Sequence, residues 1–527
     1  MKLLDLLFPP AATSYRRARV NEARSAAARS GAAKIDRALA VLATGKERFL
    51  LGTLADGRPV RMAPEQIGRH GMVWGASGAG KSYFIQLVME GFASRGRRVQ
   101  LIDPKGETVL TAALQAAATY LRLAPHEQGA FAARFRVIDV RDDRLTPMNL
   151  FALPTGMTPS LLATLRAAAL ADVSDHDYSD LMEYGVYLLF AVAIALQSGG
   201  VTSMFSRLFF LDGAFRARVV IPKLADRALA ESVTHLDDIL PAPTRAAVVR
   251  QFDKLLSSPS ARIRFGMSPA MVRALTPTAP HAPDIVLANY GPSLLLAPNV
   301  AKAQAINHVV DVVTDAMVRS DATPELDIVE EVGSIVRQSV VAQFLLDASR
   351  TLRWKNVSLV CCAQDPTNAI PRETLTALVL NSRWLAGFEG REDANLLLPF
   401  LPISEEDDAD RRQAFLAAMA VLAPQHCCFV RKGLTPLMLR TRDVASPEQS
   451  GASRDELLAI FDEEIAAHSM VRIADAERLI AAWEQDLVRG EIPPQGSHGA
   501  TNARAPLSTA EDLFAMLDGL RRPGGEE

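Results

Sequence analysis

Cysteine is scarce in this chain. Four cysteines in 527 residues stand as two adjacent pairs, Cys361-Cys362 and Cys427-Cys428. Neither pair has metal-ligand spacing, and both lie in apolar runs that read as strands. A disulfide-stapled scaffold is excluded, and reduced buried thiols are expected. His426 flanks the second pair, but no second cluster joins it to make a metal site. Net charge is also nearly absent, at −3. No global basic field exists to hold nucleic acid, so any such contact must be local. Long apolar runs are missing too. The longest, Tyr184 to Leu196, is short for a bilayer crossing and has Glu183 at its edge, which predicts a buried helix. No secretion signal is visible. The expectation is a cytoplasmic chain without an intrinsic transmembrane segment.

What is present favours a large folded body. Hydrophobic residues make up 49% of the chain, and its length allows two or three domains. Aromatics are few, while Ala, Leu and Arg dominate, which favours helices. The most specific segment is Gly75-Ala76-Ser77-Gly78-Ala79-Gly80-Lys81-Ser82. It fits the phosphate-loop pattern G-x-x-x-x-G-K-[ST]. The glycines let the backbone turn tightly and aim several N–H groups at one anion. Lys81 can reach the β- and γ-phosphates, and Ser82 can offer its hydroxyl to Mg²⁺. The apolar run Met72-Val73-Trp74 enters the loop as a strand, and Tyr83 to Glu90 leaves it with helical spacing. The helix N-terminus therefore points at the phosphates. A nucleoside triphosphate is the expected ligand, with ATP foremost and Mg²⁺ as its companion ion.

The pattern along the chain divides into five stretches. Residues 1–34 form an arm with an apolar start, Pro9-Pro10, and a basic Ala-rich helix carrying Arg16, Arg17, Arg19, Arg24, Arg29 and Lys34. It reads either as a docking element for a partner, an acidic membrane surface or nucleic acid, or as a solvated helix packed on its own domain. Residues 35–155 alternate strands and helices around the phosphate loop. Residues 156–275 carry apolar residues at three-to-four spacing and read as an all-α insertion. Residues 276–445 resume the α/β pattern, with strand candidates at Ile285 to Asn289, Ser293 to Ala297, Leu326 to Val329 and Val357 to Ala363, and near 383–388 and 426–430. Residues 446–527 form a helical tail, flexible from 489 to 507, with a capping-box pattern at Ser508 to Glu511. The fold class is α/β, a mostly parallel sheet flanked by helices on both faces.

Triphosphate hydrolysis needs one carboxylate to order the metal and another to activate water. Glu330-Glu331 follows the apolar Ile328-Val329 and fits the end of a buried strand. Glu331 would polarise the attacking water, and Glu330 would hold the Mg²⁺ shell. Asp327 competes, but it lies inside the strand. Gln364 ends another apolar strand, where a neutral amide can sense the γ-phosphate. Arg350 and Arg353 precede that strand. In a ring, one of them could reach the ATP of a neighbouring subunit, a contribution of roughly 10³ to 10⁵ in rate where it occurs.

These segments together resemble the FtsK/HerA superfamily of ring ATPases, which implies a RecA-like P-loop fold. The resemblance rests on Phe49-Leu-Leu-Gly, Gly57-Arg-Pro-Val, the loop Gly75 to Ser82, and Leu101-Ile-Asp103-Pro-Lys-Gly-Glu107. Pro147-Met-Asn-Leu-Phe, Glu330-Glu331 and the stretch Arg353 to Gln364 extend it. It is similar above all to conjugative type IV secretion ATPases and DNA coupling proteins, over about residues 45 to 445. The resemblance implies that Asp103 belongs with the nucleotide-binding set, that Arg353 acts in trans, and that Gln364 is the sensor. It implies a homo-oligomer, a hexameric ring, moving DNA or a secreted protein with membrane channel components as partners. Peripheral attachment at the cytoplasmic membrane would then fall to the arm. Two features depart from it. The first acidic position is Glu330 where the family has Asp, and only about 45 residues precede the core, with no membrane helices.

Three functions follow as alternatives. The first is a motor ATPase of a conjugation or secretion apparatus. The second is a HerA-like cytoplasmic DNA translocase in DNA processing. The third is a nucleotide switch that scaffolds partners with little turnover.

Overall fold

The computed structural model describes residues 32–491, apart from residues 46, 69, 149, 155–156, 172–178, 198–199, 277–282, 292–297, 319–323, 337–338, 391, 402–408 and 445. The arm up to residue 31, the strand candidate at 293–297, and the sequence from 492 with its capping-box pattern lie outside the described residues.

The strands are β1 (Phe49–Leu54), β2 (Pro59–Met62), β3 (Gly71–Trp74), β4 (Arg98–Asp103), β5 (Phe135–Ile138), β6 (Arg144–Leu145), β7 (Ile285–Asn289), β8 (Glu325–Val329), β9 (Val357–Ala363), β10 (Trp384–Gly387), β11 (His426–Arg431), β12 (Leu437–Thr441) and β13 (Val471–Arg472). Eleven of them form one sheet in the order β2-β1-β12-β11-β10-β3-β9-β8-β4-β7-β5. The run from β10 to β5 is parallel throughout. The flank β11, β12, β1 and β2 is antiparallel. Counting β3, β4, β8, β9 and β10 as one to five, the centre runs five-one-four-three-two. This is the RecA-like arrangement.

Burial follows from the apolar pattern. Strands β3, β8, β9 and β10 are buried at every position, as expected of parallel strands covered on both faces. In β12 the residues alternate between buried and exposed, so this flank keeps one face toward solvent. Successive side chains point to opposite faces. Met72 and Trp74 join one apolar cluster with the helices Pro159–Ala171 and Asp180–Leu196. Val73 joins another with the helices Lys81–Ala93 and Glu107–Arg122. The helices of the predicted insertion therefore share one core with a sheet face. The run from Tyr184 to Leu196 is such a helix, begun by Ser179, whose hydroxyl accepts from the Met182 N–H. Among the described residues no helix is long and apolar enough to cross a membrane.

Some elements differ from the sequence pattern. Within the predicted all-α stretch, the helical spacing of Ala225 to Ile239 gives two short helices, Arg227–Thr234 and Leu236–Ile239, with His235 between them. The strand β12, not read from the sequence, pairs with β11 and joins β1 to the sheet. The helix Ile473–Arg489 lies across the insertion. Trp483 meets Phe205 at a centroid distance of 5.7 Å, and Ile480 packs over Gly266. All four cysteines are buried and free, and burial pushes the Cys361 and Cys428 thiols up to about 12.

Candidate functional site

The loop after β3 opens at Gly75 and closes at Gly80, the residue before the helix Lys81–Ala93. Both glycines have positive φ, +151° and +107°, as does Gly78 at +79°. Side chains are excluded for a second reason. A Cβ on Gly75 would lie 2.5 Å from the Phe388 Cβ, and one on Gly80 would lie 2.9 Å from the Gln425 backbone. The loop is also pinned from behind. Ala76 N–H donates to the Glu389 carbonyl at 3.1 Å, and Gln425 N–H donates to the Ala79 carbonyl at 2.9 Å. These braces come from the connections after β10 and before β11. Ser77, Gly78, Gly80, Lys81 and Ser82 line the cleft, while Ala79 is buried behind it.

Lys81 Nζ donates to the Gly75 carbonyl at 2.7 Å and the Ala76 carbonyl at 3.0 Å. Burial holds its ammonium below the usual lysine range, against the pull of Glu330 and then Glu331. Those two carboxylates follow β8 directly. Glu330 N–H donates to the Ile102 carbonyl at 2.9 Å, so its backbone is fixed beside the end of β4. Its Oε1 accepts from the Thr108 hydroxyl at 2.9 Å, and that hydroxyl lies 3.0 Å from Ser82 Oγ. Ser82, Thr108 and Glu330 thus form one continuous chain of oxygens. Burial, and next the Asp103 carboxylate, push Glu330 up to about 7, while the Thr108 hydrogen bond and the Lys81 charge pull it down.

Asp103 lines the cleft, and its oxygens are engaged by the backbone. Oδ1 accepts from Lys105 N–H at 2.9 Å. Oδ2 accepts from Thr108 N–H at 2.8 Å and Val109 N–H at 3.1 Å. It therefore caps the helix Glu107–Arg122, whose Gly106 has φ +81°. Glu331 sits in the left-handed region at φ 50°, and its Oε1 accepts from Lys105 Nζ at 2.9 Å. Gln364, half-buried just past β9, completes the lining. The backbone of Arg353 lies in the turn Leu352–Lys355 and that of Arg350 in the helix Ser339–Thr351, while their side chains lie outside the described residues.

The oxygen chain suits Mg²⁺. That ion takes hard oxygen donors and is bound by one or two protein groups alongside phosphates and water. Ser82 and Glu330 would hold it, with Thr108 fixing both. Among the described residues, no group of three or more His, Cys, Asp or Glu side chains could by itself hold a metal ion. Lys105, Thr108 and Gln425 are parts of this site that residue-type reasoning missed. For the first two a signal exists, since both stand in or next to Asp103 to Glu107.

Residues 49–140 match the family model of the helicase HerA-like C-terminal domain. No curated protein matches the chain. VirB4 of Thermoanaerobacter pseudethanolicus shares the fold with a TM-score of 0.50 and 14% identity, over 77% of this chain and 99% of that one. The plasmid coupling protein TrwB with ADP and Mg²⁺ aligns with a TM-score of 0.46 and 14% identity, over 77% of this chain and 92% of that one. TrwB with a non-hydrolysable ATP analogue gives 0.45 and 14%, over 76% and 91%. The chain is thus similar to FtsK/HerA-type P-loop ATPases, in sequence over residues 49–140 and in fold over most of its length.

Proposed function

We propose that this chain is an ATPase that hydrolyses ATP in the cleft between the phosphate loop and Glu330-Glu331. We propose further that it works as a ring motor of a conjugation or type IV secretion apparatus. The observation that carries the reading is the oxygen chain from Ser82 through Thr108 to Glu330, with Glu331 and Gln364 lining the same cleft.

The reaction follows from these placements. The loop amides and the N-terminus of the helix Lys81–Ala93 receive the phosphates. Lys81, now bonded to two loop carbonyls, exchanges them for phosphate oxygens. Bound Mg²⁺ would neutralise charge on the β- and γ-phosphates. Glu331 accepts a proton from water as the water oxygen bonds to the γ-phosphorus. The bond from that phosphorus to the bridging oxygen breaks, and ADP leaves with the electron pair. Gln364 orients the water or the γ-phosphate without adding charge. Arg353 is proposed to act on the nucleotide of an adjacent subunit. DNA or a secreted protein is the proposed cargo, and membrane channel components the proposed partners.

A second reading is a HerA-like DNA translocase acting in the cytoplasm. It is favoured by the match of residues 49–140 to the HerA-like model. Phosphate release, measured with and without single- and double-stranded DNA, tests the ATPase. Lys81→Ala should lose most nucleotide affinity. Glu331→Gln should retain binding and lose turnover by about 10² or more, the scale of a missing general base. Hydrolysis by Glu331→Gln at the parent rate would refute the assignment. Co-purification with membrane channel proteins separates the secretion reading from the translocase.

A further inference from the structure

We propose that Lys105 is a positioning residue for hydrolysis, setting the orientation of the Glu331 carboxylate. This rests on the reading of Glu331 as the residue that takes the proton from water. The observation is the 2.9 Å contact from Lys105 Nζ to Glu331 Oε1, at the rim of the cleft that both residues line.

A general base acts through geometry first, and a carboxylate on a freely rotating side chain spends little time aimed at the water. Glu331 is held at two points. Its carbonyl accepts from the Ser334 N–H and hydroxyl, each at 2.8 Å, and this fixes the left-handed turn. Its carboxylate is held by Lys105 alone among the hydrogen bonds seen for it in the described residues. Fixing one oxygen on an ammonium would leave the other, Oε2, to take the proton from water.

Lys105 can do this because its own backbone is held from several sides. Its N–H is bonded to Asp103 Oδ1 at 2.9 Å. The next residue, Gly106, has φ +81°, and a Cβ there would lie 2.4 Å from Asn289 Oδ1. From beneath, Gly291 runs so close that a Cβ on it would lie 2.2 Å from the Lys105 carbonyl oxygen. Tyr290 N–H donates to the Asp103 carbonyl at 3.1 Å. The loop between β4 and its helix is thus clamped against the end of β7. The Lys105 side chain is 42% exposed and that of Glu331 19%, so the pair adds little to folding and its contribution is to aim. A lysine in this place could instead serve as a second phosphate ligand, and the test separates the two roles.

The experiment measures kcat for ATP hydrolysis and the Kd for ATP with Mg²⁺ in the full chain, for wild type, Lys105→Met and Lys105→Arg. A positioning role predicts that Lys105→Met lowers kcat by about tenfold or more while Kd changes less than about twofold. Lys105→Arg, which can still donate to Oε1, should recover a substantial part of kcat. Unchanged kcat in Lys105→Met overturns the inference, as does a weakened Kd with kcat preserved, which would make Lys105 a phosphate ligand. A wild-type chain that binds ATP and never releases phosphate removes the proposed function and this inference together. A hydrolysing wild type with unaffected Lys105→Met removes this inference alone.

Discussion

Replacing Glu330 by Gln should flatten part of the pH dependence of stability. In the fold, burial and the Asp103 carboxylate raise Glu330 from 4.5 to about 7. The unfolded chain ionises this group at its ordinary value. Between the two values the folded state holds a proton that the unfolded state has released. The contribution to stability is therefore full below about pH 4.5 and is lost as pH rises through 7. The shift is 7 − 4.5, about 2.5 units, and at 1.36 kcal/mol per unit it corresponds to roughly 3 kcal/mol. Gln is close in shape to Glu and keeps an oxygen for the Thr108 hydroxyl to meet, but it cannot titrate. Urea unfolding in EDTA, without nucleotide, at about pH 4.5 and 7.5 reads the effect. Wild type should lose roughly 3 kcal/mol more than Glu330→Gln over that interval. Other acids, such as the half-buried Asp311 at about 6, titrate in both proteins and cancel in the comparison. Parallel pH profiles for the two proteins would show that Glu330 ionises in the fold as it does in water.

Thr108→Val removes the hydroxyl that donates to Glu330 and meets Ser82. It should cost about 1–3 kcal/mol in urea unfolding near neutral pH, and the Mg²⁺ concentration for half-maximal ATPase should rise; an unchanged Mg²⁺ dependence would separate Thr108 from the metal site. Arg353→Ala should bind ATP normally. Mixed with wild type, it should pull ATPase below the average of the two proteins, and undiminished mixed activity would discard the trans role.

Much of this site is legible in the sequence because its chemistry is local. Gly75 to Ser82 lies in eight consecutive residues, and the loop type demands glycine at the positive φ positions found at Gly75 and Gly80. Glu330 and Gln364 could be placed because each follows the apolar end of a buried strand, Ile328-Val329 and Leu359 to Ala363. Lys105 and Thr108 were less visible. Their roles depend on partners at Glu331 and Glu330, more than 220 positions along the chain. The bracing by Glu389 and Gln425 was hidden for the same reason, since a backbone hydrogen bond carries no residue preference. In the fold, β12 escaped notice because its alternating Leu-Met-Leu-Arg-Thr is short and half exposed. The split at His235 reflects a boundary that apolar spacing alone does not mark.

The sheet order also bears on how the protein is made. The neighbours of β3 are β9 and β10, which begin at Val357 and Trp384. A nascent chain emerging from the ribosome therefore carries the Gly75 to Ser82 segment through most of translation with neither edge of its strand paired. The strands β4, β7 and β8 can join earlier, leaving a gap between the growing sheet and the unplaced β3. Met72, Val73 and Trp74, all buried in the finished molecule, stay available to chaperones or to other chains during that wait. Closing the nucleotide cleft is then a late event in biogenesis, set by the arrival of the second half of the polypeptide.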